Sequence, residues 1–218
     1  MGDAATVVIA ISRQIACGGT FIAQSTARRL GFKYVDRDIL YEAARNLGVD
    51  VRDLSGMEEK SSGFFENLIR SFSFGPPESA YVVPSRRPVY DRDLYEAEAA
   101  IIRELAEKHD AVIVGRGGGH ALGNHPGLVK IFLHAPKRDR TIRLMNVRKT
   151  IDSEKARREV EESDRNREKF MRDMTGIDWT DARNYHLSVD TSVVGFQAAE
   201  DMIVQLVHAR RSSFASGR

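Results

Sequence analysis

At 218 residues and 42% hydrophobic side chains, the chain has enough apolar surface for one ordinary domain with room for an inserted subdomain, which excludes general disorder. Lys and Arg number 33 against 31 Asp and Glu, a net charge of +2, too small for a general nucleic-acid binder, so no nucleic-acid partner is expected. Cys17 is the only cysteine, so there is no intrachain disulfide, and no apolar run approaches a membrane span or a signal peptide; a cytoplasmic protein without a membrane partner is expected.

The segment Val7–Leu30 reads as an apolar strand, a loop of small and polar residues, and a helix with Ile22, Thr26, Ala27 and Leu30 at helical spacing. A strand that enters a helix through a glycine turn builds an anion site, because the first amides of the helix lack internal partners. Against the phosphate-loop template G-x-x-x-x-G-K-[ST], Arg13 stands at the first Gly, Gly18 at the second, Gly19 at the Lys and Thr20 at the Ser/Thr. Two positions fit and two fail. Gly18 and Gly19 still allow close approach of an anion and Thr20 still offers a hydroxyl to Mg²⁺, but the ammonium that bridges the transferred phosphates is missing.

Phe32–Val35 is a short strand closing on Asp36-Arg37-Asp38, and Ile39–Leu47 returns to helical spacing. Gly48 ends that helix and Asp50 caps another through Met57. Phe64, Phe65, Leu68, Ile69 and Phe72 form one apolar helix face, and the run from Gly75 to Pro88, with four prolines, reads as a mobile loop at an insert or lid boundary. Asp91 caps a long helix through His109 that buries Leu94, Ala97, Ile101, Ile102 and Leu105.

Ala111–Val114 is an unbroken apolar strand that delivers Gly115-Arg116-Gly117-Gly118-Gly119 at its carboxyl end, where ligand crevices of parallel sheets lie. His120 at the sixth position excludes a dinucleotide fingerprint. Leu128–His134 is a further strand, and Pro136 starts a helix carrying Arg138, Arg140, Arg143 and Arg148. Asp152–Phe170 is a charged helix with solvent-face pairs expected at Glu154–Arg158 and Glu161–Arg165; Tyr185–Val189 is the last strand, Gly195–Arg211 the closing helix and 212–218 a frayed tail. Five strands alternating with helices predict an α/β fold around a parallel sheet. Cys17 reads as a structural loop residue, and His120, His125 and His134 lack zinc-ligand spacing.

Arg supplies 25 of the 33 basic residues, and residues 137–172 hold 13 basic and 8 acidic side chains, a concentration of planar forks suited to phosphate oxygens. The series ISRQIACGG-T, YVDRDIL, VIVGRG, VKIFLHAP-x-R-x-R-x-x-R and EESDRNR resembles the cytidylate kinase-like proteins, a branch of the P-loop nucleoside monophosphate kinases, over about residues 6–207.

That resemblance implies a single three-layer P-loop kinase domain over 1–218, with a five-stranded parallel sheet between helices, a helical acceptor-binding insert at about 48–92 and a lid at about 136–172. It implies transfer of the ATP γ-phosphoryl group to CMP or a similar nucleotide, with Mg²⁺ held at Thr20. The backbone of Ala16, Cys17, Gly18, Gly19 and Thr20 would hold the donor phosphates. Asp36, Arg37, Arg116, Asp164 and Arg167 would bind the acceptor, and Arg140 and Arg143 would stabilise charge on the transferred group. Arg13 and Arg37 are candidates for the missing cation. The chain departs from the kinase pattern at Gly19, Val114, Gly117 and Glu42, which leaves open a kinase for another small metabolite, or a catalytically weak nucleotide-sensing or partner-binding module.

Overall fold

A computed structural model of the chain describes residues 6–36, 92–115, 117–149 and 151–215. The expected helix at Ile39–Leu47, the insert at 48–92 apart from its last residue, the proline-rich loop, Arg37 and Arg116 lie outside the described residues.

The described elements are β1 (Val8–Arg13), α1 (Gly19–Leu30), β2 (Lys33–Val35), α2 (Arg92–Lys108), β3 (Ala111–Val114), α3 (Gly118–Ala121), β4 (Leu128–His134), α4 (Lys137–Arg148), α5 (Ser153–Thr175), a 3₁₀ turn (Ala182–Asn184), β5 (Leu187–Asp190) and α6 (Thr191–Ala215). The strands form one sheet in the order β2-β3-β1-β4-β5, and every pairing is parallel. β1 therefore lies at the centre, with Val8 opposite both Ala111 and Leu128.

Period-two alternation along these buried strands divides the core. Val8, Ala10, Ala111, Ile113 and Leu128 face Ile101, Ile102 and Leu105 of α2. Ile9, Ile11, Val112, Val114, Ile131 and Leu133 face Ile22 and Ala27 of α1 and Ala199, Ile203 and Val207 of α6. Both faces are covered, so the strand sequences are unbroken apolar runs. Two smaller clusters lie at the carboxyl end of the sheet. Phe132 packs with Met171 and Trp179, and Leu144, Ala156 and Val160 of the α4–α5 hairpin pack on Ile15 and Ala16 of the loop after β1.

Helix ends follow their local chemistry. Gly31, at φ 69°, closes α1 while the Phe32 amide donates back to Ala27. The Asp152 carboxylate caps α5 by accepting from the Lys155 amide at 2.7 Å. Three boundaries differ from the sequence reading. α5 runs on to Thr175; β5 spans Leu187–Asp190; α6 begins at Thr191 and continues through Ala215, interrupted at Gly195 by φ 78° and ψ 170°. The early start of α6 follows from Asp190, whose Oδ1 accepts from both the amide (2.9 Å) and the hydroxyl (2.6 Å) of Ser192.

That turn places Thr191, fully buried, against the loop. Its hydroxyl donates to the Cys17 carbonyl at 2.7 Å and receives Arg143 Nη1 at 3.3 Å. Thr191→Val keeps the shape and removes the hydroxyl, so it should lower the unfolding free energy by about 1–3 kcal/mol, the cost of stranding a buried polar partner. Urea unfolding checks it: the midpoint should fall while the slope is unchanged.

Candidate active site

The central strand ends at Arg13, and Gln14 and Cys17 of the loop that follows are fastened to the end of β4. The Gln14 amide donates to Leu133 O at 3.0 Å, Gln14 Oε1 accepts from the Ala135 amide at 3.2 Å, and Cys17 Sγ lies 3.3 Å from Leu133 O. Ala16 and Gly18 adopt positive φ, 58° and 83°. A Cβ on Gly18 would also lie 2.4 Å from the Phe196 ring, so this position is closed to any side chain on two grounds. The first helical bond of α1 is Ile22 N–H to Gly18 O at 3.0 Å, and no acidic residue occupies the first turn. The amides of Gly19, Thr20 and Phe21 therefore open α1 toward the loop, with the positive end of the helix dipole behind them.

Burial pushes the Cys17 thiol up, more than the Gly19 amide and the fields of Arg13, Arg167 and Arg140 pull it down. A protonated, fully buried thiol is a packing group, in agreement with its structural reading.

Those three arginines reach the loop from three elements. Arg140, on α4, is 2% exposed; its Nε donates to Ala135 O at 2.8 Å and its two terminal nitrogens grip Asp164 at 3.0 and 2.8 Å. Arg167, on α5, donates to Ser163 Oγ and shares a cleft with Ser12, Arg13, Gly115, Gly117, Phe170, Met171 and Trp179. Burial first, then the neighbouring Arg13 cation, press its guanidinium down to about 9, which still leaves it charged at neutral pH. This cleft shares Ser12, Gly115, Gly117 and Met171 with a second one walled by Gly118, Gly119, Lys130 and Tyr185.

Arg143, also on α4, reaches Thr191 and lies 5.0 Å over the Phe196 ring. Asp36, just past β2, accepts a hydrogen bond from the Tyr34 hydroxyl at 3.2 Å; burial and the Asp36 charge push that phenol far up, so it stays a donor.

The structure thus gathers Arg13, Ala16, Cys17, Gly18, Gly19, Thr20, Arg140, Asp164 and Arg167 around one loop and links Arg143 to it through Thr191. Asp164 differs from the sequence expectation in one respect: both carboxylate oxygens are engaged by Arg140. Sequence reading passed over Thr191, Gln14 and Phe196. Only the turn signal Asp190-Thr191-Ser192 and the glycine before Phe196 hinted at that region.

Thr20 is the hydroxyl suited to Mg²⁺. Among the described residues no group of three or more His, Cys, Asp or Glu side chains is arranged to hold a metal. No helix of the described residues is long and apolar enough to cross a membrane.

The cytidylate kinase-like family profile matches residues 8–193. A cytidylate kinase of Methanopyrus kandleri is 27% identical over 196 residues, covering 86% of each chain. Among solved structures, an uncharacterized protein from Eubacterium ventriosum superposes with a TM-score of 0.69 at 21% identity, over 93% of this chain and 99% of that one. A shikimate kinase from Bacteroides thetaiotaomicron shares the fold with a TM-score of 0.50 at 13% identity, over 93% and 98% of the two chains. The parallel sheet, the loop-to-helix anion site and a family match over most of its length lead to one statement of kinship: this chain belongs to the cytidylate kinase-like family.

Proposed function

We propose that the protein is a kinase that transfers the γ-phosphoryl group of ATP to a small acceptor, most simply a nucleoside monophosphate such as CMP. The observation that carries this reading is the convergence of Arg13, Arg140 and Arg167 on a loop whose amides and helix dipole already favour an anion. Among these three guanidinium groups, Arg140 is neutralised by Asp164, while Arg167 bears a burial and repulsion cost that a polyphosphate would relieve.

In this reading the amides of Gly18–Thr20 hold the donor β-phosphate, Arg167 meets the charge that develops on the transferred group, and Arg140, bound on all three nitrogens to Ala135 and Asp164, positions α5 over the loop. Arg143 steadies the donor side through Phe196. Asp36, oriented by Tyr34, and Arg37 and Arg116 of the sequence pattern serve the acceptor. Mg²⁺, with Thr20 as its protein ligand, would neutralise phosphate charge and align the transferred group.

One observation favours acceptors other than CMP: Asp164, the carboxylate the family pattern offers to a base edge, is held on both oxygens by Arg140. A panel of CMP, UMP, AMP and small hydroxyl metabolites with ATP and Mg²⁺, coupled to ADP detection, tests the reading. A pyrimidine monophosphate should give the highest kcat/KM. Preference for a non-nucleotide would retain the kinase and replace its acceptor; no turnover with any acceptor would reject transfer.

Arg167 separates function from stability. Arg167→Met removes a half-buried charge that repels Arg13, so the ligand-free melting temperature should hold or rise, while affinity for inorganic pyrophosphate falls by about 1.5–3 kcal/mol, the range of hydrogen bonds to charged groups. Thermal melts with and without pyrophosphate check both signs at once. Full pyrophosphate stabilisation in the variant would take Arg167 out of the site.

A further inference from the structure

The phosphate-loop template and this chain differ by an exchange: where the template has Gly then Lys, the chain has Arg13 then Gly19. Residue 19 opens α1 without any backbone need for glycine, since its φ is not in the left-handed region, unlike Gly18 and Gly115. What requires glycine there is Arg13. A Cβ on residue 19 would lie 2.7 Å from Arg13 Cβ and 2.8 Å from its Cγ, and Cβ is fixed by the strand backbone and cannot swing aside. The stem of Arg13 therefore runs across the start of α1, through the space that a side chain from residue 19 would enter.

The far end of that side chain is equally well placed. Arg13 Nη1 would lie 2.2 Å from a Cβ on Gly115, so the guanidinium reaches the carboxyl end of β3, across the crevice from the loop. Gly117 and Arg167 line the same crevice. Gly19 thus makes way for the stem of this arginine, and Gly115, which its φ of 82° already reserves for glycine, lies beside its head.

We propose that Arg13 is the catalytic cation of the loop, supplied from the end of β1 in place of the lysine that the template carries on the helix, and that it spans the transferred and leaving phosphates. The inference rests on the kinase reading. In the transfer, the bond from the γ-phosphorus to the bridging oxygen breaks and its electron pair stays on the β-phosphate of ADP. A lone pair of the acceptor phosphate oxygen forms the new P–O bond, and a dianionic acceptor releases no proton. Negative charge grows on the β-oxygen, and a planar fork can contact that oxygen and a γ-oxygen together, where an ammonium acts as a point charge. A fork anchored by a strand end is also less free than a lysine on a helix terminus, so less order is lost when it engages.

The test uses Arg13→Met, Arg13→Gly and the double variant Arg13→Gly/Gly19→Lys, which restores the template order. Arg13→Met keeps the stem over Gly19 and deletes the fork, so it should melt near the wild-type temperature while kcat falls about 10²–10³-fold and pyrophosphate affinity falls at least tenfold. The double variant should regain tenfold or more of the kcat lost in Arg13→Gly. Wild-type kcat and pyrophosphate affinity in folded Arg13→Met, or no recovery in a folded double variant, would overturn the inference. Turnover by the wild type together with an equally active Arg13→Met would remove Arg13 alone and leave the kinase reading standing. A wild type that neither turns over any acceptor nor binds pyrophosphate would remove both.

Discussion

The structure depends on the position of β1 between β3 and β4. A strand with parallel partners on both sides is buried on both faces and cannot shift register without exposing one of its apolar rows. Its carboxyl end is therefore a fixed point, and the loop that leaves it must turn at once, because α1 returns over the sheet to bury Ile22, Ala23 and Ala27. The neighbouring strand ends supply what the loop backbone needs: Leu133 and Ala135 for Gln14 and Cys17, and Thr191 for the Cys17 carbonyl. The proposed anion site is thus a product of sheet topology, at a crevice where the chain changes direction across the sheet.

Electrostatics sets the opposing constraint. Arg13 and Arg140 lie close enough to Arg167 for their charges to add to the burial that disfavours its cation, and the Asp164 carboxylate acts in the opposite sense. Its bidentate pair with Arg140 has side-chain exposures of 23% and 3%, so it is largely shielded from water and holds α5 to α4 in one geometry. The hairpin rests on the loop through only a small apolar patch, Leu144, Ala156 and Val160 against Ile15 and Ala16. Ion pair and patch together locate the arginines, while the large core lies elsewhere. A site built this way keeps cationic strain for its ligand and relies on the sheet for stability.

Much of the fold was legible because burial on both faces writes itself as uninterrupted apolar strands, as in Ala111–Val114 and Leu128–His134. The short helix Gly118–Ala121 was hidden, since three glycines in sequence argue against helix; the preceding positive-φ Gly117 starts it and packing of Gly118 on Ile113 permits it. Surface pairing was legible in part. Glu154–Arg158 forms as helical spacing predicts, but Glu161 pairs with Arg157 and with Lys137 from α4 in place of Arg165. Asp164 and Arg167, three apart on α5, lie close enough to interact, as helical spacing predicts. Arg140 was named as a site residue, but its pairing with Asp164 was invisible, because a pairing across 24 residues of sequence depends on how two helices pack.

The same limit explains why the loop looked deficient. A motif records which residue type stands at each position along the chain, whereas a phosphate meets charge at a point in space. A guanidinium has a longer reach than an ammonium, so it can serve a given point from a more distant Cα, provided that the intervening backbone carries no Cβ in its path. That condition shows in sequence only as an extra glycine, which a template scores as a second loss. Here the apparent losses at residues 13 and 19 are one steric relation, Arg13 over Gly19 with its head against Gly115. Counting them separately overstates how far the loop has departed from a phosphate site, since removing the helix-borne cation and introducing a strand-borne one leaves the positive charge of the loop unchanged.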